Sequence, residues 1–293
     1  MNKEKSKSRS IQSELLRMVE GFADGSRSRP DSDSNEWNLV GSGDAIEDWE
    51  FTNEAIKSLL SEHYQNKGNP FTQVKIDSRS DLGAYLIEKD CAIIHTTNGH
   101  IFQRGIDQHF GDFPDSNREI IESSNSERHS IISNSGVTKH SSAEGVFLGS
   151  ALFMEESRIR NFLGIPQGIS TVLLPSHRRK FSGIQVEIDS MLMWVVNNHT
   201  FISIFEVKSD SKIKPDWTGG YSYHQVKNTA LTVGARFSKA EKESTTIIPV
   251  YFRSEWRSKS DVWNAKLDLF ESFESKDSVP RIISSLDILN LPR

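Results

Sequence analysis

Two apolar runs separated by the dipeptide Asn197-Asn198 constrain the fold of this chain more than any other part of its sequence. The first run is GIQVEIDSMLMWVV, over residues 183–196, and the second is TFISIFEVKS, over residues 200–209. Runs rich in β-branched and aromatic residues predict strands, and paired asparagines between them predict a turn. The sequence therefore predicts a β-hairpin in the C-terminal half.

Acidic side chains and one lysine lie close together on this predicted hairpin. Because side chains alternate along a strand, Glu206 and Lys208 project from one face, and Glu187 and Asp189 share a face of the preceding strand. Pairing through the turn puts Asp189 nearly opposite Glu206, and two facing carboxylates repel each other unless a cation lies between them. Mg²⁺ prefers oxygen ligands and is often held by only a couple of carboxylates. The pattern therefore predicts a metal site with Lys208 beside it.

These residues resemble the PD-(D/E)xK phosphodiesterase superfamily, which includes many type II restriction endonucleases, Holliday-junction resolvases and repair exonucleases. The resemblance covers residues 143–255 and depends on the motifs EID, ending at Asp189, and FEVK, ending at Lys208, although no proline precedes Asp189. It implies that Asp189 and Glu206 bind Mg²⁺, which Mn²⁺ can replace. It also implies that Lys208 assists the water that attacks the phosphodiester.

The same resemblance implies two further site residues on helices. Many members of the superfamily place a glutamine on the helix after the ExK strand, and Gln225 in YSYHQVKN matches that position. Many also add a glutamate from an upstream helix, for which Glu155 is the catalytic candidate and Glu156 the candidate metal ligand. Glu144 is the third and less favoured choice.

The predicted organisation is that of an α/β protein. Residues 143–293 are expected to form a restriction-endonuclease-like core, with a mixed central sheet flanked by helices, and residues 37–142 an α+β region for recognition or dimerisation. Residues 1–36 read as a disordered, basic and serine-rich tail, in which 11–22 could form a short helix. Residues 114–142 are polar and predict a long loop or linker.

Local patterns predict the remaining elements. CAIIHTT and HIFQRG, separated by Asn98-Gly99, predict a second hairpin, and residues 53–64 predict a helix. After residue 143, helices are expected in AEGVFLGSALFMEESRIRNFLGIP, YSYHQVKNTALTVGARF and VWNAKLDLFESFES, and strands in TTIIPVYF and RIISSLDIL.

Composition restricts the class of protein further. The single cysteine, Cys91, excludes an internal disulfide and any zinc site that needs two cysteines of this chain. No apolar stretch is long enough to span a bilayer, and a cytoplasmic protein without membrane contact is expected. The formal net charge of −5 gives no global sign of nucleic-acid binding, so DNA contacts must be local. Candidates precede the first strand and follow the second: Arg178, Arg179, Lys180, Lys212 and Lys214.

The predicted function is that of a Mg²⁺-dependent endonuclease acting on double-stranded DNA, specifically a type II restriction enzyme. Cutting both strands implies a homodimer, and a cognate DNA methyltransferase would act separately. Four alternatives stay open. The chain could be a structure-specific, repair or defence-effector nuclease of the same superfamily, or a non-catalytic DNA-binding protein on a nuclease scaffold. The acids and Lys208 could also be a surface salt-bridge ladder, and histidines near Cys91 are a weaker metal candidate.

Overall fold

A computed structural model describes residues 3–27, 39–41, 43–57, 74, 76, 79–96, 99–113, 117–124, 126–139, 144–181, 184–210, 220–256, 260–273 and 278–293. The chain divides into two compact units. Unit 1 comprises Met1–Asp112, Ser182–Gln185 and Thr218–Ser222. Unit 2 comprises Phe113–Phe181, Val186–Trp217 and Tyr223–Arg293.

Unit 1 contains one long helix and an antiparallel sheet to which the described residues contribute four strands. The helix is α1 (Lys3–Ala23), and the strands lie in the order β1 (Leu39–Gly41), β2 (Trp49–Thr52), β4 (Gly99–Arg104) and β3 (Cys91–His95). The smaller elements are helix α2 (Ala84–Glu88), the 3-10 helices Ile46–Asp48, Arg79–Asp81 and Ile106–Gln108, and the paired strands β5 (Phe110–Gly111) and β12 (Tyr221–Ser222).

Helix α1 belongs to the core of unit 1, so the expectation of a disordered tail is wrong for Lys3–Ala23. Its apolar residues Ile11, Leu15 and Val19 recur every four positions and are buried, as expected of a helix with one face on a core. The buried Gln12 fixes the helix further: its side-chain oxygen accepts a hydrogen bond from the Gly83 backbone N–H at 2.9 Å. The tail prediction failed because it weighted charge over this periodicity.

Unit 2 is built on a mixed sheet to which the described residues contribute seven strands. In spatial order these are β6 (Arg118–Glu122), β15 (Ile282–Pro292), β14 (Val262–Phe270), β13 (Thr245–Trp256), β11 (His199–Asp210), β10 (Ser190–Val196) and β7 (Val172–Leu174). The pairs β11–β13 and β15–β6 are parallel, and the other neighbours are antiparallel. Strands β8 (His177–Phe181) and β9 (Ile184–Ile188) lie between β7 and β10 in the chain.

Five helices of the described chain belong to unit 2: α3 (Ser126–Ser135), α4 (Glu144–Met154), α5 (Glu156–Phe162), α6 (Tyr223–Gly234) and α7 (Lys239–Glu243). Helix α4 covers the sheet face that contains Phe205, Val207 and Phe252, and these side chains share one core cluster with Phe147 of the helix. We call this side the apolar face. Helix α5 ends at Phe162, and Gly164 (φ 71°) follows its C-cap residue, at the helix stop that the sequence predicts.

The other side of the unit 2 sheet is polar toward the C-terminal ends of β11 and β13. Register places Glu206 beside Tyr251 and Lys208 beside Arg253, all on this side, which we call the polar face. Helix α6 packs on the same two strands, and its last residue, Gly234, lies against Ile247 near the start of β13. Because side chains alternate between the two faces of a strand, the charged residues near the ends of β11 and β13 lie on the polar face, and the core under α4 lies on the apolar face.

The class prediction is confirmed at its coarser level, because unit 2 is a mixed α/β structure with a large mixed sheet flanked by helices. Two element predictions are wrong. The segment expected to be helical at VWNAKLDLF is strand β14, in which Trp263, Ala265 and Leu267 alternate onto the apolar face. The expected loop at 114–142 contains β6 and α3, and β6 pairs with β15, so these residues belong to unit 2.

The hairpin predicted around Asn98-Gly99 is confirmed by the pairing of β3 with β4, from Cys91↔Arg104 to His95↔His100. The predicted helix at 53–64 is described only over 53–57, where it is helical. Within the described parts of the chain, no helix combines the length and apolar character needed to cross a membrane.

Candidate metal site

The hairpin that carries the candidate site forms as the sequence predicts. Strands β10 and β11 pair from Val196↔His199 to Ser190↔Phe205. Asn197 and Asn198 form the two-residue turn with φ values of 50° and 63°. Asparagine tolerates this left-handed conformation, which a tight hairpin turn of matching twist requires at both positions.

Continuing this register by one residue brings Asp189 opposite Glu206. Asp189 follows β9 and precedes β10, and its Oδ2 accepts a hydrogen bond from the backbone N–H of Val207 at 2.7 Å. On β11, the Lys208 Nζ donates to the Glu206 Oε1 at 2.6 Å, and both side chains are buried. The structure thus brings together the three residues on which the sequence prediction depended most.

The electrostatics of the site are those of two acids held close together. Burial, followed by the charge of Glu206, raises the pKa of Asp189 to about 7, against the opposing effects of Lys208 and the Val207 N–H. A buried carboxyl next to another carboxylate is costly to ionise. A cation bound between the two would remove that cost, because it attracts both charges.

The upstream glutamates lie at opposite ends of α4, Glu144 at its start and Glu155 and Glu156 just after its end. Glu144 is the first residue of α4, and its charge is one of those that raise the pKa of Asp189. Glu155 follows the opposite end of α4, about 16 Å away at 1.5 Å per residue. Of the three upstream acids, Glu144 is the one whose charge acts on Asp189, and the choice among them stays a prediction.

Glu155 and Glu156 have partners of their own. Ser123 donates a hydrogen bond to the buried Glu155 Oε1, and the His129 Nε2 lies 3.8 Å from the same oxygen. The Glu156 carboxylate lies 3.3 Å from Arg128 and 3.9 Å from Arg160. These contacts join α4 and α5 to α3 and account for both acids structurally.

The remaining predicted site residues are described to different extents. Gln225 is half-buried in the first turn of α6, a helix that packs on β11 and β13, and Glu187 is exposed. Of Arg178, Arg179 and Lys180 only the backbone is described, in β8. Two further candidates lie outside the described residues: Lys212 and Lys214.

Sequence reasoning missed the neighbours of the site on β13. Tyr251 is fully buried beside Glu206, and Arg253 is nearly so beside Lys208. The Phe113 ring lies 4.1 Å from the Arg253 guanidinium carbon and 5.4 Å from the Tyr251 ring. The alternation of TTIIPVYFRSEW could have extended the predicted strand to Arg253, but nothing local indicates that this strand pairs with β11.

The donor set at Asp189 and Glu206 fits a hard divalent cation, which needs only one or two protein carboxylates when water and phosphate complete its shell. Across the described residues, no three His, Cys, Asp or Glu side chains converge into a metal-binding group. Glu144 therefore acts on Asp189 through its charge at longer range. The site is a two-carboxylate site with an adjacent lysine.

The weaker metal candidate in unit 1 has different chemistry. Burial raises the pKa of the Cys91 thiol to about 11, and burial together with His95 lowers the pKa of His100 to about 3. The rings of His95 and His100 lie 4.8 Å apart, and His100 stacks on Phe51. These are the properties of protonated thiol and neutral imidazole groups within a packed core.

No family model matches this chain, and no curated protein or solved structure matches it either. The functional argument therefore depends on the residues and their geometry.

Proposed function

We propose that this chain is a Mg²⁺-dependent endonuclease that hydrolyses phosphodiester bonds in double-stranded DNA. The observation that supports it is the β10–β11 register, which brings Asp189 opposite Glu206 and leaves Lys208 on the same face of β11. Two facing carboxylates with a lysine beside them are suited to phosphodiester hydrolysis with a bound metal. Mn²⁺ is expected to replace Mg²⁺.

In the proposed mechanism, Asp189 and Glu206 contribute carboxylate oxygens to the cation. When bound, the cation would polarise the phosphate and lower the pKa of the attacking water. The Val207 N–H holds the Asp189 carboxylate in place, at 2.7 Å. Lys208 donates from Nζ to the Glu206 carboxylate at 2.6 Å, so its ammonium is placed to orient the water or to stabilise charge on the phosphate.

The finer proposal is a cytoplasmic type II restriction enzyme. Cutting both strands of a duplex requires two active sites, which a homodimer with two-fold symmetry provides most simply. Unit 1 has its own hydrophobic core and so offers a second structural unit for recognition or dimerisation. A cognate methyltransferase acting separately on the same sequence completes this proposal.

A cleavage assay on unmethylated, phage-length duplex DNA tests the proposal. Discrete fragments that require Mg²⁺, disappear in EDTA and disappear in Asp189→Ala and Lys208→Ala are expected for a restriction enzyme. Cleavage of branched or single-stranded DNA in preference to linear duplex would identify a structure-specific nuclease instead. Activity that persists in both variants would refute the assigned site, and absence of cutting on every substrate would favour a non-catalytic DNA-binding protein.

A further inference from the structure

Three cations form a row across the polar face of unit 2, one on each of three neighbouring strands. Lys208 on β11 pairs in register with Arg253 on β13, and Arg253 pairs with Lys266 on β14. Adjacent strands are about 4.8 Å apart, so the row is roughly 10 Å long. It begins at the candidate metal site and leads away from it.

The outer part of this row shares one carboxylate between two cations. The Glu255 Oε1 lies 2.9 Å from the Lys266 Nζ and 3.5 Å from the Arg253 Nη2. Two positive charges and one negative charge give this trio a net charge of +1. The side chains of Lys266 and Glu255 are 24% and 23% exposed, against 6% for Arg253, so solvent reaches the trio at its Lys266 end.

The inner member of the trio is fixed in orientation. The Phe113 ring lies over the Arg253 guanidinium at 4.1 Å, and Glu255 lies at its edge. A stacked guanidinium next to a carboxylate holds that carboxylate in a defined place. Arg253 is therefore a positioning residue for Glu255, whereas Lys266 can turn its ammonium toward an anion.

We propose that Arg253, Glu255 and Lys266 form a phosphate-binding subsite for the nucleic-acid backbone, next to the candidate metal site. The inference rests on the proposed function, since a nuclease must hold phosphates beside the one it cuts. Lys266 supplies the contact, because a lysine near a phosphate neutralises it and releases counterions. Glu255 holds Lys266 in the free protein and competes with the phosphate for it.

Because Glu255 and the phosphate compete for Lys266, substitutions of Lys266 and Glu255 are expected to change DNA affinity in opposite directions. Binding of a short fluorescein-labelled duplex is measured by anisotropy in EDTA over a series of salt concentrations, without cleavage. Lys266→Gln is expected to weaken binding about threefold to tenfold and to reduce the slope of log K against log salt by about 0.9. Glu255→Gln is expected to strengthen binding several-fold, because it removes a negative charge from the subsite.

Lys242→Gln is the matched control. Lys242 is an exposed lysine of α7, before the first residue of β13, and so lies roughly 25 Å from Arg253 at 3.3 Å per residue. It is expected to leave both affinity and salt slope unchanged. Urea midpoints of all three variants establish that they are folded.

Weaker binding in both Lys266→Gln and Glu255→Gln would show that their ion pair only stabilises the fold, and would overturn the inference. So would an unchanged slope in Lys266→Gln, or a wild-type protein that does not bind the duplex. The result is separable from the proposed function. If Lys266→Gln weakens and Glu255→Gln strengthens binding in a protein that cuts no DNA, the subsite is retained and the nuclease is rejected. If the protein cuts DNA but Lys266→Gln has the wild-type salt slope, the nuclease is retained and the subsite is rejected.

Discussion

Two clusters on the polar face of unit 2 have the same composition, two carboxylates and one cation, but differ in how their charges are balanced. In the first, Asp189 and Glu206 lie beside Lys208. In the second, Arg118 donates from Nη1 to the Asp268 Oδ1 at 2.6 Å and from Nε to the Asp287 Oδ1 at 2.7 Å, and Ser285 donates to Asp268 at 2.6 Å. We call these the Asp189 cluster and the Arg118 cluster.

The difference lies in what burial does to each. Burial acts to lower the pKa of Arg118, but the hydrogen bonds and charges of Asp287 and Asp268 outweigh it and raise that pKa. In the Asp189 cluster, burial and Glu206 raise the pKa of Asp189 to about 7, and Lys208 only partly opposes them. In the Arg118 cluster the guanidinium bonds to both acids and balances their charge. In the Asp189 cluster the two acids repel each other, so the cluster is suited to bind an added cation.

The largest expected effect separates function from stability at Asp189. Asp189→Asn removes a charge but keeps an oxygen that can accept from the Val207 N–H. We expect the rate of DNA cleavage to fall by about a thousandfold. The urea midpoint at pH 8 should not fall, because a carboxyl whose folded pKa is raised makes the wild type less stable as pH rises toward 7. A cleavage rate within tenfold of wild type, or a marked loss of stability, would contradict the comparison.

The Arg118 cluster should behave in the opposite way. Arg118→Met leaves Asp268 and Asp287 buried without their shared cation, so we expect the free energy of unfolding to fall by about 3 to 5 kcal/mol. Urea denaturation followed by circular dichroism measures it. Lys242→Met, at an exposed position of α7, serves as the control and should change the free energy by less than about 0.5 kcal/mol. A loss below about 1 kcal/mol in Arg118→Met would show that the cluster is not structural.

A smaller effect distinguishes the two ends of α4. Glu144→Gln removes a negative charge that acts on Asp189. We therefore expect the apparent affinity for Mg²⁺ in the cleavage assay to fall by about tenfold. Glu155→Gln weakens the hydrogen bond from Ser123, and its expected effect is on stability, about 1 to 3 kcal/mol. Parallel Mg²⁺ titrations and urea curves of both variants are the measurement. A larger loss of Mg²⁺ affinity in Glu155→Gln than in Glu144→Gln would contradict this and favour Glu155 as the upstream acid.

The smallest effect concerns a group that stays uncharged, His100 in unit 1. Its folded pKa of about 3 lies below the ordinary value of 6.5, so the unfolded chain binds a proton first as pH falls. Stability is therefore complete above pH 6.5 and is lost below it, by about 1 kcal/mol between pH 6.5 and 5.5. Hydrogen exchange of β4 amides measures this loss, and His100→Phe should reduce it. An identical pH dependence in the variant would assign the loss to another group.

The parts of the fold and site that depend on residues close in sequence could be predicted, and those that depend on pairing between distant segments could not. The Asp189–Glu206 juxtaposition could be predicted, because a two-residue turn and alternating strands fix the register of a hairpin. The position of Arg253 could not, because parallel pairing of β11 with β13 follows a helical crossover and leaves no local trace in the sequence. Burial of α1 was underestimated for a related reason, since a charged helix is distinguished from a tail only by the core it contacts.

Two further errors concern strands with mixed patterns. The residues of β14 include apolar side chains at three- and four-residue spacing as well as at alternate positions. The sequence pattern of this segment therefore fits a helix as well as a strand, and only the pairing with β13 and β15 decides between them. Edge strand β6 is polar, with Ile120 64% exposed, and resembles a loop in composition. The sequence cannot rank Glu144 against Glu155, because it does not indicate which end of α4 lies near the hairpin.

The central claim is that Asp189 and Glu206 bind a divalent cation, and calorimetric titration with Mn²⁺ tests it most directly. Titrations at pH 7 in two buffers of different ionisation enthalpy give both the affinity and the number of protons released. Because the pKa of Asp189 is about 7, binding should release roughly half a proton per Mn²⁺, and Asp189→Asn should abolish both binding and release. Binding that survives in Asp189→Asn, or the absence of binding in the wild type, would contradict the claim.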